Sequence, residues 1–486
     1  MERHRSVDDG AARLQIVFSP HRQTSEEIPA RRSIAHPMPW DGALDAGIGE
    51  RANARPSRRA MQTKGPRTAK IAARPPIAQP MPWTRWIVVV ALVVGHFVPA
   101  VAADEDAAAA ARASLERIRA LREQRPGDGL LGFFQAITHA ALGERDAALA
   151  EMRLLLGRRL GIVPSKGIGF ETLWSDPEFQ ALRSQLAAEE PQTPPAPVAF
   201  RLNDARMIPE GIAYDPDGRR FFIDSIAQRR IVVADRVGRM REFSHPDDKL
   251  DAVLGLAVDA RRRILFAVST NGFEDSAASG RRNAVMRYDI ARNRLAARYD
   301  VPAATQLNDL ALAPDGTLYV TDSAAGSLYR MRPGDTALAP FGPAQSMRGA
   351  NGIAVAADGT VYVTLSTGIA RLDIDGTPQR LAQPDSVVTG GIDGLYWHEG
   401  DLVGVQNVTN PGRVIRIRLG DHGRRIDAVK VLQSHHHPAF DEPTTGAIVD
   451  GALHVLANTY VRRFQPDGTL QDAESLSPPI VIAVPL

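Results

Sequence analysis

The stretch PEGIAYDPDGRRFFIDS at residues 209–225 decides the fold, because it has the pattern of a β-hairpin and because it returns along the chain. An alternating apolar run enters the turn Pro216-Asp217-Gly218, and a second run rich in Val, Tyr and Phe in its later copies leaves the turn. The later copies are LGLAVDARRRILFAVST from 254, LNDLALAPDGTLYVTDS from 307, ANGIAVAADGTVYVTLS from 350, IDGLYWHEGDLVGVQN from 392 and TTGAIVDGALHVLANT from 444. Equivalent positions 211, 255, 309, 352, 394 and 446 are 42 to 54 residues apart, which is the length of a propeller blade.

A second phrase follows each hairpin, with Arg and large apolar residues before a polar turn, as in AVMRYDIARNRLAARY. Each unit therefore has four strands, and there are six units. Packing such sheets around an axis buries their faces and protects their edges, so the sequence predicts a mainly β, six-bladed β-propeller over residues 199–486. The strand that closes the ring is either PVAFRL at 197–202 or PPIVIAVPL at 478–486, and the pattern does not choose between them.

A small helical module is predicted before the propeller, over residues 103–190. Residues 104–124 and 130–157 show apolar recurrence at three- and four-residue intervals. The second stretch breaks at Gly143 and resembles a tetratricopeptide repeat, with WSDPEFQALRSQL at 174–186 as its cap. Such a module is either a spacer or a surface for a protein partner. The stiff PQTPPAPV segment at 191–198 is the expected linker to the propeller.

The N-terminal residues contain the pattern of an export signal. Residues 1–80 carry 14 Lys or Arg against 8 Asp or Glu and lack any periodicity, so we expect them to be disordered or not translated. Residues 81–102 have a positive flank at Arg85, an apolar stretch from Trp86 to Val94, and the small-x-small site Ala100-Val101-Ala102. This predicts a signal peptide that starts at Met81 and a periplasmic or secreted protein. The alternative is an uncleaved membrane anchor at 86–102.

Composition excludes several classes of function. The chain has 486 residues and a formal net charge of +2, so overall charge gives no reason to expect nucleic-acid binding. It has no cysteine, which excludes disulfides, thiolate metal sites and thiol nucleophiles.

One position of the repeat carries candidate metal ligands. The innermost strands of a propeller line its central channel, so residues at one fixed place in each repeat project toward a common point. That place holds Glu210, Leu254, Asn308, Asn351, Asp393 and Thr445. Two carboxylates and two amides among them are suited to a hard divalent cation, of which Ca²⁺ is our first expectation. Singly, each of the four is explained as an ordinary turn residue; their shared register favours a joint site.

These residues also resemble a known family. Pro209-Glu210-Gly211, Asn308-Asp309, Asn351-Gly352 and Asp393-Gly394 look like the metal-binding set of the senescence marker protein and gluconolactonase family of six-bladed propellers. The resemblance covers about residues 197–486. It implies that Glu210, Asn351 and Asp393 are metal ligands, that Asn308 is a ligand or substrate contact, and that Asp393 is the candidate general base. The chain departs from lactonase-type members at Gln306, where they often carry Arg.

The predicted function is metal-assisted hydrolysis of a small-molecule lactone or related ester. The catalytic candidates are Asp393 and Asn308, with Gln306 and Asp309 as substrate-binding or supporting residues. The alternative is a non-catalytic binding propeller with a structural ion and a helical module that recruits a partner. A lyase or synthase on the same scaffold is a third hypothesis.

Overall fold

The computed structural model describes residues 105–274 and 280–486. The predicted disordered segment 1–80 and signal peptide 81–102 lie outside the described residues. In the described part, none of the helices is long and apolar enough to cross a membrane.

A small helical region precedes the propeller. Its helices are α1 (Glu105–Gln124), α2 (Gly129–Ala141), α3 (Arg145–Arg153) and α4 (Pro177–Glu189). Two of them begin at aspartate caps, because Asp128 accepts hydrogen bonds from the Leu130 and Leu131 amides and Asp176 accepts from those of Glu178 and Phe179. The helix α2 is buried along nearly its whole length and forms the centre of this region.

The rest of the described chain is a six-bladed β-propeller built from four-stranded antiparallel sheets. Blade one contains β2 (Ile212–Asp215), β3 (Arg220–Ser225), β4 (Arg230–Asp235) and β5 (Met240–Glu242); blade two contains β6 (Ala252–Asp259), β7 (Ile264–Thr270), β8 (Asn283–Asp289) and β9 (Arg294–Asp300). Blade three contains β10 (Leu307–Leu312), β11 (Leu318–Asp322), β12 (Ser327–Met331) and β13 (Ala339–Pro340); blade four contains β14 (Ile353–Val355), β15 (Val361–Leu365), β16 (Gly368–Leu372) and β17 (Pro378–Arg380). Blade five contains β18 (Ile392–His398), β19 (Asp401–Gln406), β20 (Arg413–Gly420) and β21 (Arg425–Gln433); blade six contains β22 (Gly446–Val449), β23 (Ala452–Leu456), β24 (Ile480–Pro485) and β1 (Val198–Arg201).

Both chain segments that the sequence left open take part in closing the ring. In blade six, β24 pairs with β23, and β1 adds to the outer edge of β24 with Phe200 opposite Val481. One sheet therefore joins the first and the last strands of the propeller. This pairing ties the two ends of the repeat array together and leaves no blade unfinished.

The first strand of each blade lies innermost, and these strands contact one another around the axis. Apolar side chains fill the space between neighbouring blades. Between blades one and two, for example, the Phe243 ring packs on Phe222 and on Tyr288, with ring centroids 4.7 and 5.3 Å apart. The alternation seen in the sequence is thus the alternation of side chains between the two faces of each blade.

The helical region packs directly on blades four and five. Its apolar core continues into Val388 of the propeller. Nearby, the buried Arg413 guanidinium forms an ion pair with Glu190, with Nη1 3.0 Å from Oε1, and its Nε donates to Gln406. The Val163 amide also donates to the Thr409 carbonyl. The helices therefore support the loops that follow β19.

Candidate functional site

The predicted ring residues lie at one end of the propeller channel, around a cavity that we call the mouth cavity. It encloses about 790 Å³, part of it open to solvent, and Glu210, Asn308, Asn351 and Asp393 all line it. Gln306 lines the same cavity, and its side chain is buried. Five of the six site residues predicted from the sequence therefore face one space.

Strand register explains this convergence. Glu210 and Asn351 lie two residues before β2 and β14, while Asn308 and Asp393 are the second residues of β10 and β18. All four positions lie near the starts of innermost strands, so the blades present them at the same end of the channel. In blade two the equivalent Leu254 also lines the cavity, whereas in blade six Thr444, rather than the predicted Thr445, does so.

Hydrogen bonds hold the Asp393 carboxylate from two sides. The Asn351 side-chain amide donates to Oδ1 at 2.7 Å, and the Asn407 side-chain amide donates to Oδ2 at 2.6 Å. Asn407 donates also to the Pro443 carbonyl at 2.8 Å, which fixes its amide plane. The carboxylate is thus oriented while each oxygen keeps a lone pair for another contact.

Two other oxygens of the ring have no hydrogen-bond partner. Glu210 Oε2 and Asn308 Oδ1 are buried acceptors without a donor among the described residues, although the Asn308 amide nitrogen donates to Ser323 Oγ at 2.8 Å. An unsatisfied buried acceptor costs about 1–3 kcal/mol. Two such atoms on residues that line one cavity need an electropositive group near them.

The carboxyl groups of the ring have raised pKa values. Burial, and then the charges of Asp393, Asp224 and Asp309, raise the pKa of Glu210 well above its ordinary value. Burial also raises the pKa of Asp393, and the hydrogen bonds from Asn407 and Asn351 oppose this rise. Both shifts reflect a place with little solvent, and the shift of Glu210 also reflects nearby negative charges.

Asp309 is the predicted site residue that the structure places elsewhere. It lines a second cavity of about 840 Å³, the far cavity, which is bordered by the innermost strands and by Tyr396 and Trp397. Its carboxylate accepts hydrogen bonds from the Leu310 amide at 2.8 Å and the Ile353 amide at 3.3 Å. Burial raises the pKa of Asp309 to about 7, and these two hydrogen bonds oppose the rise. Adjacent residues, Asn308 and Asp309, therefore serve different cavities.

A second column of the repeat contributes polar residues that the sequence analysis did not assign to the site. The last residue of each hairpin phrase, at the end of the second strand of the blade or within three residues after it, is polar in every copy. These residues are Ser225, Thr270, Ser323, Ser366, Asn407 and Thr459. Ser323 and Asn407 contact the ring directly, through Asn308 and Asp393. Alignment of the six copies would have revealed this column.

Glu442 and Arg462 were also missed. Glu442 lies outside the repeated phrases, and Arg462 lies in the blade-six copy of the second phrase, YVRRFQPDGTLQDA. Both line the mouth cavity, and Arg462 Nε is 3.1 Å from Glu442 Oε1. Glu442 has a φ of +65°, a left-handed conformation that is costly for a residue with a side chain. Thr459 Oγ1 donates to the Glu442 carbonyl at 2.6 Å and helps to hold it there. No periodic signal in the sequence points to either residue.

The donor chemistry of the mouth cavity fits a hard cation. Among the described residues, no cluster of three or more His, Cys, Asp or Glu side chains is arranged as a metal site. The predicted set contains two carboxylates and two amides, so it differs from such a cluster in composition. Its unpartnered Glu210 and Asn308 oxygens are the kinds of atoms that Ca²⁺ binds in proteins.

Comparisons with known proteins found matches among solved structures alone. No protein-family model matches the sequence, and no curated protein matches it. Solved structures do match, and among them are gluconolactonase-like and regucalcin-like six-bladed propellers.

Three of these structures illustrate the similarity. The chain is 18% identical to a gluconolactonase from Xanthomonas campestris, with 61% of this chain and 99% of that chain covered and a TM-score of 0.39. It is 18% identical to regucalcin from Agrobacterium tumefaciens, described as a calcium-binding protein, with 60% of this chain and 97% of that chain covered and a TM-score of 0.41. It is 16% identical to the PQQ-bound aldose sugar dehydrogenase from Streptomyces coelicolor, with 60% of this chain and 97% of that chain covered and a TM-score of 0.43.

Proposed function

We propose that the protein is a metal-dependent hydrolase of a lactone or a related ester, with a divalent cation, Ca²⁺ in the first place, at the mouth cavity. The observation that carries this proposal is the pair of unpartnered buried oxygens, Glu210 Oε2 and Asn308 Oδ1, beside the oriented carboxylate of Asp393. An ion contacting these groups would offset the cost of burying them.

Glu210, Asn308, Asn351 and Asp393 are the proposed ligands. When bound, the cation supplies Lewis-acid polarisation of the substrate carbonyl oxygen. The protein supplies orientation, because Asn351 and Asn407 fix the plane of the Asp393 carboxylate. It also restricts water, since these side chains are largely buried.

Asp393 is also our candidate general base, and Asn308 our candidate contact to the reacting carbonyl. As the base, Asp393 would take up a proton at a carboxylate oxygen from an attacking water. Gln306 is the proposed neutral substrate contact on the blade-three wall. Asp309, which lines the far cavity, is proposed to act on the site through the strand β10 that it shares with Asn308.

The proposal is tested with a panel of lactones and aryl esters, assayed with CaCl₂ and with EDTA. We expect turnover that EDTA abolishes and calcium restores, and an Asp393→Asn variant with at least about 100-fold lower kcat/KM. Asp401→Asn is the matched control. Asp401 lies in the same blade but does not line the cavity, and its Oδ2 is 2.7 Å from Arg416 Nε. Calcium binding without turnover of any panel member would contradict the hydrolase and favour the non-catalytic propeller with a structural ion.

We further propose that the protein is exported to the periplasm or secreted, on the basis of the signal-like segment 81–102. N-terminal sequencing of the mature protein should then begin near Ala103. A protein partner at the helical region remains a prediction; the contacts of that region with blades four and five support a role in holding the propeller loops.

A further inference from the structure

Blade six carries a long connection between its strands β23 and β24, residues 457–479, which we call the blade-six arm. Its apolar residues Tyr460, Val461 and Phe464 pack against the core near Leu254, and the Phe464 ring meets Phe273 edge to face, with centroids 6.1 Å apart. The arm therefore forms a wall of the mouth cavity. It is fixed in place by packing and by the Thr459–Glu442 hydrogen bond.

Arg462 lies on this arm, and only part of its guanidinium group contacts the described residues. Its backbone amide donates to Glu442 Oε2 at 3.1 Å, and Nε approaches Glu442 Oε1. The two terminal nitrogens of the guanidinium have no hydrogen-bond partner among the described residues, and the side chain is 25% exposed. Glu442 thus orients Arg462 along one edge and leaves the other edge of the guanidinium available, the edge that can grip a carboxylate with two parallel hydrogen bonds.

The described residues in the rest of the mouth-cavity wall include no second cationic side chain. Among the described residues that line it, Arg462 is the sole Arg, Lys or His. The blade-three wall is neutral, with Gln306, Asn308 and Ser323. Any anionic group of a ligand that reaches beyond the ring therefore has one fixed positive partner.

Arg462 lines the same cavity as the ring residues Asn308 and Asp393. A small ligand in the mouth cavity can therefore contact Arg462 and the ring at the same time.

We propose that Arg462 is the carboxylate-binding residue of the mouth cavity, so that the ligand carries an anionic group at the end away from the reacting carbonyl. The hydrolytic context rests on the function proposed above; the binding of a carboxylate does not. The carboxylate has two sources, a group that the substrate already carries or the acid that hydrolysis produces, and the experiment separates them.

The first arm is calorimetry in CaCl₂ with gluconate and gluconamide, which share a carbon chain but differ in charge. Wild-type protein should bind gluconate at least about tenfold more tightly than Arg462→Gln does, because the variant loses a charged contact made by two parallel hydrogen bonds. Gluconamide should bind the two proteins equally. Arg463→Gln is the matched control and should behave as wild type. Arg463 is the next residue in the sequence, does not line the cavity, and has its Nη1 2.8 Å from Asp472 Oδ2.

The second arm compares KM for glucarolactone, which carries a carboxylate, with KM for gluconolactone, which is neutral. A rise in the glucarolactone KM relative to the gluconolactone KM in Arg462→Gln assigns the carboxylate to the substrate. Weaker gluconate binding with an unchanged ratio assigns it to the product.

Folding of each variant is checked by thermal unfolding. If Arg462→Gln unfolds because Glu442 has lost its ion-pair partner, the double variant Arg462→Gln/Glu442→Gln, in which Glu442 is also replaced, takes its place. Equal gluconate affinity in wild type and Arg462→Gln, or an equal loss in Arg463→Gln, would overturn the proposal. Arg462-dependent gluconate binding without hydrolysis of either lactone would leave this inference standing and refute the hydrolase.

Discussion

Buried side-chain oxygens at the mouth cavity and in the nearby channel interior differ in their hydrogen bonding. At the mouth, Glu210 Oε2 and Asn308 Oδ1 lack a donor. Inside, the Asp224 carboxylate accepts hydrogen bonds from the Glu210 and Gly211 amides at 2.8 and 2.9 Å, and Asp309 accepts from two further backbone amides. The interior acids are therefore structural partners of the backbone, whereas the mouth oxygens are available to a ligand.

This difference shows that residue type alone does not define the site. Asn308 and Asp309 are neighbours in the sequence and both are suitable cation ligands, yet the alternation of a strand sends them to different cavities. What separates a binding residue from a structural one here is whether the backbone already supplies its donors. The comparison leads to three expectations, for function first and then for stability.

The largest effect is expected for Glu210→Gln. The variant should bind Ca²⁺ at least about 100-fold more weakly, because it removes a ligand charge beside an ion of charge +2. Without calcium its melting temperature should rise, since an acid whose pKa is raised by burial and by like charges is replaced by a neutral group. Calorimetry and thermal unfolding in EDTA measure the two effects.

Glu242→Gln is the control for that variant, because Glu242 lies on the outer strand β5 of the same blade and pairs with Arg230. A lower melting temperature for metal-free Glu210→Gln, with calcium affinity unchanged, would remove the distinction between mouth and interior.

Asp224→Ala should show the opposite behaviour. Without the carboxylate, the Glu210 and Gly211 amides lose a hydrogen-bond acceptor in a fully buried place. The free energy of unfolding should therefore fall by about 2–3 kcal/mol in EDTA. Denaturant unfolding provides the measurement. Asp217→Ala, at the exposed turn of the same hairpin, should change stability by less than about 0.5 kcal/mol. Equal losses in the two variants would contradict a structural role for Asp224.

The smallest effect is expected for Asp215→Asn, at a buried acid whose carboxylate is paired mainly with arginine side chains. Burial alone would raise the pKa of Asp215, but hydrogen bonds from Arg263, the Gly218 amide and Arg220 outweigh it and leave the pKa below its ordinary value. A lowered pKa in the folded state stabilises the protein above the unfolded-state value near 3.8, and this contribution is lost as the pH falls through the folded-state pKa.

The variant should therefore lose about 1 kcal/mol at neutral pH and show a shallower decline of stability below about pH 4 than wild type. Melting temperatures between pH 3 and pH 7 test this. An unchanged acid decline would mean that the Arg263 and Arg220 contacts contribute no pH-dependent stability.

The sequence predicted the propeller because one hairpin pattern recurs six times at blade length. It predicted Glu210, Asn308, Asn351 and Asp393 of the mouth cavity because strands with the same register place equivalent positions at the same end of the channel, whereas Gln306 was named only from the family resemblance. It did not assign Asn407 or Ser323 to the site, although the polar column that contains them is visible once the copies are aligned.

Other features have no local signal. Glu442 lies between repeated phrases and Arg462 lies in the blade-six copy of the second phrase, and their meeting depends on the long blade-six arm folding back on the core. The closure of the ring by β1 and β24, and the ion pair between Glu190 and Arg413, join residues more than 200 positions apart. Periodicity reports the local pattern of a strand or helix; it carries no information on such pairings.

The most direct test of the central claim is a crystal structure of the protein grown with CaCl₂, with a parallel crystal in MnCl₂ for anomalous scattering. We predict one strong anomalous peak in the mouth cavity, in contact with the Glu210 carboxylate and the Asn308 amide oxygen and absent in the Glu210→Gln variant. A mouth cavity without an ion at a calcium concentration that saturates activity, or a peak confined to the far cavity beside Asp309, would contradict it.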